Sequence, residues 1–116
     1  MKNPVVHFEI GCKDQSLTKE FYKNTFGWDI TQKGPSANID TKSEDGIQGH
    51  ITALGHEPHN YINIYIEVDD INVCLERIEK NGGNKAIGPI KLPNGQEFAW
   101  FIDIAGNTVG LITKKE

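Results

Sequence analysis

The feature that most constrains this chain is a repeat of its own pattern at a fixed offset of 56 residues. His7 in a strand-like run, Asp14 at a helix start and Gly27 at a helix stop recur as Asn63, Asp70 and Gly83. The last strand of each copy follows a glycine, Gly46 or Gly106, at an offset of 60, with four extra residues in a longer loop around Asn94-Gly95. On that register His50 is equivalent to Gly110. One apolar helix and four short strands cannot bury their own hydrophobic faces, whereas two copies together can. A chain of 116 residues has room for one such domain. A core of that size folds without disulfide or metal staples.

Local patterns fill in the elements. Residues 5–10 alternate Val6, Phe8 and Ile10 with His7 and Glu9, a period-2 strand with two unlike faces. Asp14 or Ser16 can cap the helix that follows. Leu17, Phe21 and Tyr22 give that helix an apolar stripe, and Gly27 stops it. Short strands are predicted at 28–32 and 36–41 around a Gly34-Pro35 turn, and a fourth at 46–54. After a loop from Gly55 to Asn60 the pattern restarts. Residues 61–68 alternate Ile62, Ile64, Ile66 and Val68 with Asn63, Tyr65 and Glu67. Asp69 or Asp70 caps a helix carrying Ile71, Cys74, Leu75 and Ile78, which ends at Gly82-Gly83. Strands at 84–88, 97–103 and 108–113, with a Pro93-Asn94-Gly95 turn, complete the second copy. The fold class is therefore α+β, built from two βαβββ modules at about 4–55 and about 60–114.

Alternation assigns side chains to faces. The helices are expected to cover the face bearing Val6, Phe8, Ile10, Ile62, Ile64 and Ile66. The opposite face then carries His7, Glu9, Gln48, His50, Asn63, Tyr65 and Glu67. A face this polar is either a solvated outer surface, as antiparallel sheets often have, or a ligand cleft. Alternation alone leaves both open. Trp28, Phe98, Trp100 and Phe101 are available as apolar walls for a cleft.

Composition excludes several classes. Lys and Arg number 12 against 16 Asp and Glu, for a net charge of −4 without a basic stripe, which argues against nucleic acid as a partner. No apolar stretch approaches the roughly 18–20 residues needed to span a bilayer, so no membrane association is expected. The opening Met1-Lys2-Asn3-Pro4 does not read as a signal peptide. Two cysteines, Cys12 after a strand and Cys74 inside a helix, point to a reducing compartment and a cytoplasmic protein. Cys12 reads as a small, partly buried residue, because no base or helix start adjoins it. The loop His56-Glu57-Pro58-His59 is not a zincin site: its histidines are three apart, and Pro58 breaks any helix. No Gly-x-Gly-x-x-Gly loop, Walker loop or serine nucleophile elbow occurs.

Four segments occur in order on this repeat: Val6-His7-Phe8-Glu9-Ile10; Phe21-Tyr22 followed by Phe26-Gly27-Trp28; the helix end Asn81-Gly82-Gly83; and Asp103-Ile104-Ala105-Gly106-Asn107. Together they resemble the vicinal oxygen chelate superfamily, which includes glyoxalase I, fosfomycin- and bleomycin-resistance proteins and extradiol dioxygenases. The resemblance covers essentially the whole chain. The last segment is similar to the family's Asp-Pro-acid-Gly-Asn turn, with Ile104 replacing the proline and Ala105 the acid. The resemblance implies two βαβββ modules forming a half-open, curved mixed sheet with helices on the outer face. It also implies a homodimer, and it favours a ligand cleft on the polar face.

Metal-dependent members resembling this chain hold a divalent metal at four equivalent positions, in the first and last strand of each module. Here these are His7, His50, Asn63 and Gly110. The resemblance leads one to expect His or Gln with carboxylates, including a Glu in the final strand. Gly110 offers no side chain there, and Asn63 only a neutral amide. A divalent catalytic site wants three or more protein ligands, and the two-His–one-carboxylate iron site needs its carboxylate. His7 and His50 are thus expected to hold metal weakly, if at all. Glu9 lies about 6.6–6.8 Å further along the strand and could join them only with unusual geometry.

The expectation is a small-molecule-binding protein of the glyoxalase/bleomycin-resistance type with a degraded metal site. Glu9, Gln48, Asn63, Tyr65, Glu67 and Trp100 would contact the ligand. The alternative is an enzyme of lyase or isomerase type, other than glyoxalase I itself. His7 and His50 would then be its catalytic residues, as weak metal ligands or acid–base groups, since imidazole titrates near neutral pH. A third reading, a pure interaction module, would need a flat or convex polar face.

Overall fold

The computed structural model describes residues 2–55 and 57–115. The elements run β1 (Val5–Gly11), α1 (Gln15–Phe26), β2 (Asp29–Lys33), β3 (Ser36–Asp40), β4 (Gln48–Thr52), β5 (Tyr61–Val68), α2 (Ile71–Lys80), β6 (Asn84–Lys91), β7 (Glu97–Ile102) and β8 (Thr108–Thr113). The architecture is α+β, as expected. Its strands run β2-β3-β4-β1 and β5-β8-β7-β6. Each run is mixed: β1–β4 and β5–β8 are parallel, and the remaining pairs are antiparallel. β6 continues past its expected end to Lys91, with register shifts on either side of Ile87. It stands at the end of its run, where Pro89 costs no ladder bond on the open side. No helix among the described residues is long and apolar enough to cross a membrane.

By its contacts the chain divides into two compact units: His7–Asn63, and the residues up to Val6 with those from Ile64 onward. In the first, Asp14 caps α1 by accepting from the Leu17 backbone N–H at 3.1 Å. Gly27 ends it at φ 71, a left-handed conformation in which a Cβ is strained. Ile10, Cys12, Ala37, Ile39 and Ile51 form the core, with Phe8, Tyr22, Trp28 and Ile30 packed against it. The Tyr22 and Trp28 rings stack with centroids 5.3 Å apart. Cys12 is buried, and its thiol donates to the Thr52 carbonyl.

The stripe expected to seat α1 does not do so. Leu17 is 71% exposed and Phe21 is exposed too. The half-buried row is instead Gln15, Thr18, Lys19 and Tyr22, at helical spacing. Gln15 fixes that rotation, because its Nε2 donates to the carbonyls of Pro35 and Ile51. Leu17 and Phe21 are left lining a groove of about 420 Å³ with Ile10, Cys12 and Ile62.

In the second unit Asp70 caps α2 by accepting from the Val73 N–H at 3.0 Å. Ile71 and Leu75 are buried against Val68, Ala99 and Leu111, with Ile66, Cys74, Ile78 and Phe101 around them. Burial pushes the Cys74 thiol up from its ordinary range. The Asp103 carboxylate accepts from the Asn107 side chain and from the backbone N–H groups of Ala105 and Asn107, closing the turn before β8. Those Asn107 bonds hold its carboxyl below the ordinary aspartate range.

Coverage of β5 corrects a second expectation. Ile62 is 74% exposed and Ile64 is also exposed, whereas Asn63 and Tyr65 are buried. The helices lie over flanking strands, α1 on β4 and β2, and α2 on β6, β7 and β8. Only the Ile66–Val68 end of β5 joins a helix-covered core.

Candidate functional site

β1 supplies His7 and Glu9, two residues apart and so on one strand face. β4 runs parallel beside it with Glu9 opposite His50. Glu9 is 2% exposed. Its Oε2 accepts from the Tyr61 hydroxyl at 2.5 Å and lies 3.7 Å from His50 Nε2. On the other side of that imidazole, His50 Nδ1 is 2.7 Å from His7 Nε2. The two rings are stacked, with centroids 5.0 Å apart. The carboxylate facing Nε2 favours the His50 tautomer that carries its proton there, which leaves Nδ1 to accept from His7 Nε2–H.

Tyr61 reaches Glu9 because residue 11 is glycine. A Cβ on Gly11 would fall 2.0 Å from Tyr61 Cε1, so the ring occupies space that any other residue would fill. Burial, and then the bond to Glu9, push the Tyr61 hydroxyl well above the ordinary tyrosine range, so it stays a donor. Burial, and then the neighbouring His50, lower His7 to about 4, with Glu9 opposing. His7 is therefore neutral at pH 7. The cluster combines the buried Glu9 carboxyl with two imidazoles in hydrogen-bonding contact, a set that can bind a polar group or move a proton.

Asn63 lies two residues beyond Tyr61 on β5, on the same face by alternation. It is 3% exposed, and its Oδ1 and Nδ2 have no hydrogen-bond partner among the described residues.

The other predicted residues are placed as follows. Trp100 Nε1 donates to the Tyr65 hydroxyl at 2.8 Å, and Phe98 meets the Tyr65 ring edge-on. Tyr65 stands opposite Gly110 in the β5–β8 ladder, the counterpart of Glu9 opposite His50. Gln48 is turned to the β3–β4 connection, where Oε1 accepts from the Thr41 N–H at 2.6 Å and Nε2 donates to the Ser43 carbonyl. Glu67 is half-buried, and its backbone is tied to Pro4 and Asn3. In the loop already excluded as a zincin site, His59 Nε2 lies 3.3 Å from Glu57, while His56 is outside the described residues. Sequence reasoning missed Tyr61. It belongs to the same alternation as Asn63 and Tyr65, but alternation at the first position of a strand does not report a partner 52 residues away.

For a metal, the donor set is unpromising at each family position. The facing nitrogens of His7 and His50 engage each other. Asn63 is uncharged. A Cβ on Gly110 would fall 2.4 Å from Tyr65 Cδ2, so the ring fills the space where a ligand side chain would begin. Among the described residues, no three of His, Cys, Asp and Glu form a group that could hold a metal ion.

Comparison with known proteins gives consistent relatives. Residues 5–111 match the family model described as glyoxalase/bleomycin resistance protein/dioxygenase superfamily. A glyoxylase-like domain-containing protein of Didymella fabae is 30% identical over 115 residues, covering 91% of this chain and 90% of that protein. The anthracycline biosynthesis protein DnrV of Streptomyces peucetius is 27% identical, over 85% of this chain and 42% of its own length. Among solved structures, a hypothetical protein from Bacillus halodurans aligns at TM-score 0.76 and 17% identity, covering 100% of this chain and 97% of that one. Methylmalonyl-CoA epimerase from Mycobacterium tuberculosis aligns at TM-score 0.70 and 13% identity, covering 97% and 88%. At such identities the likeness is one of fold.

Proposed function

This chain belongs to the glyoxalase/bleomycin resistance protein/dioxygenase superfamily, and we propose that it binds a small molecule on the polar strand face of Glu9, His7 and His50, without a resident metal. The burial of Glu9 carries the reading. A solvated outer face keeps its carboxylates in water, since burying one is costly without partners. Glu9 is buried, with the Tyr61 hydroxyl on it and His50 beside it. Convergent polar groups backed by an aromatic ring are what a small-molecule site presents.

The absence of a resident metal is supported by the donors themselves. A divalent ion wants three or more protein ligands. Of the four family positions, only His7 and His50 carry good ones, and these hydrogen-bond to each other. The residues do not fit the ion, and no chemistry is assigned to one.

The test is a metabolite and drug library screened by NMR on ¹⁵N-labelled, untagged protein, with elemental analysis of the same sample. Ligands are expected to shift the signals of His7 and His50, and His50→Ala is expected to lose them. A library with no ligand, or near-stoichiometric metal that disappears in His7→Ala, overturns the reading.

A second reading is an enzyme of lyase or isomerase type. It is supported by the hydrogen-bonded His7–His50 pair, with the Glu9 carboxyl 3.7 Å from the second imidazole, acid–base groups gathered at one place, and by a fold shared with methylmalonyl-CoA epimerase. His7→Ala and His50→Ala would then each abolish turnover while the fold persists. Unchanged turnover in both rejects it.

A further inference from the structure

The Asn63 amide is buried at 3% exposure, and neither of its polar atoms meets a partner among the described residues. Folded proteins pair the great majority of such groups, and an unpaired one works against folding. The Asn63 amide is an exception, left unpaired by the described residues of the folded chain itself. It stands two residues from Tyr61, whose hydroxyl reaches Glu9, so it belongs to the face of the site described above.

We propose that Asn63 is the specificity-determining residue of this site, and that it takes the neutral amide or lactam edge of a ligand. The inference rests on the small-molecule-binding reading and narrows it to one chemical class. A carboxamide side chain presents a carbonyl acceptor beside N–H donors. A partner that satisfies both ends must carry a donor next to an acceptor, as an amide or a lactam does. A carboxylate carries acceptors only and leaves Asn63 Oδ1 unpaired. It also brings a second negative charge to the face that holds Glu9. The ligand is accordingly neutral where it meets Asn63.

The experiment uses the full chain, with benzamide, 2-pyrrolidinone and benzoate as probes and the Asn63 side-chain NH₂ signals as the readout. Benzamide and 2-pyrrolidinone are expected to shift these signals, and benzoate to bind more weakly by roughly tenfold or more. Asn63→Leu, which keeps the shape and removes both polar atoms, is expected to abolish benzamide binding. It is also expected to raise Tm by roughly 3–8 °C, because an unpaired buried group is gone. Asn63→Asp, with acceptors only, is expected to lose benzamide binding as well. A fall in Tm of the leucine variant, unaltered benzamide binding in either variant, or equal binding of benzamide and benzoate overturns the inference. So does a lack of response to both amides. A library ligand at His7 and His50 that ignores Asn63→Leu sinks this inference alone, whereas no ligand anywhere on that face sinks the binding reading with it.

Discussion

The ring of Tyr65 lies across Gly110, where the Cβ of any other residue would come within 2.4 Å of its Cδ2. The Tyr65 hydroxyl accepts from the Trp100 indole N–H at 2.8 Å, which restrains the ring from swinging away. Gly110→Ala is therefore expected to destabilise the protein by about 1–3 kcal/mol through overpacking. Tyr65→Ala in the same chain should remove most of that added cost. Urea midpoints of both single variants and the double variant measure the coupling. Strict additivity would show that ring and residue 110 do not compete for space.

Glu9 has a comparable dependence on Tyr61. Tyr61→Phe removes the hydroxyl that donates to a buried carboxylate. Hydrogen bonds to charged groups contribute about 1.5–3 kcal/mol, so a loss of that size is expected in denaturant unfolding. Glu9→Gln should lessen the effect of Tyr61→Phe, because a neutral amide tolerates a missing donor better than a carboxylate does. An equal effect in both backgrounds would mean that the hydroxyl does not serve Glu9.

Much of this arrangement was legible in the residues, and the limits have physical causes. The strands Tyr61–Val68 and Thr108–Thr113 match their alternation at both ends, and Asp14, Asp70 and Gly27 act at helix ends as their chemistry dictates. The equivalence of His50 and Gly110 reappears in the ladder, opposite Glu9 and Tyr65 respectively. These features are local or periodic. The rotation of α1 is not, because it depends on Gln15 meeting the carbonyl of Ile51, 36 residues away. Nor is the exposure of Ile62, since alternation assigns a side chain to a face without saying whether a helix covers it. Tyr61 and Glu9 are joined across 52 residues by a contact that a glycine makes possible, and no periodicity reports that.

The depressed His7 sets a pH dependence with a definite sign. In the unfolded chain an imidazole titrates near 6.5; in the folded chain burial, and then His50, bring His7 to about 4. Above pH 6.5 both states are neutral, and the group contributes no slope. Between pH 6.5 and 4 the unfolded chain binds a proton that the folded chain refuses, so stability falls as pH falls. Partial solvent exposure reduces the effect to about 1–3 kcal/mol across that window. Unfolding free energies at pH 7, 5.5 and 4 should show the decline, and His7→Gln should flatten it by that amount. A wild-type curve that His7→Gln leaves unchanged would place the slope on other groups.

The seating of α1 yields a pair of effects opposite to what hydropathy suggests. Gln15 donates to two backbone carbonyls, whereas Leu17 is 71% exposed. Gln15→Ala removes both hydrogen bonds, one of them part-buried, and is expected to cost about 1–2 kcal/mol. Leu17→Ala removes a side chain that lies mostly in water and should stay within about 0.5 kcal/mol of wild type. Thermal unfolding of the two variants side by side decides the matter. A larger loss from Leu17→Ala would mean that α1 seats its leucine stripe after all, and the groove beside Phe21 would then be closed by the helix itself.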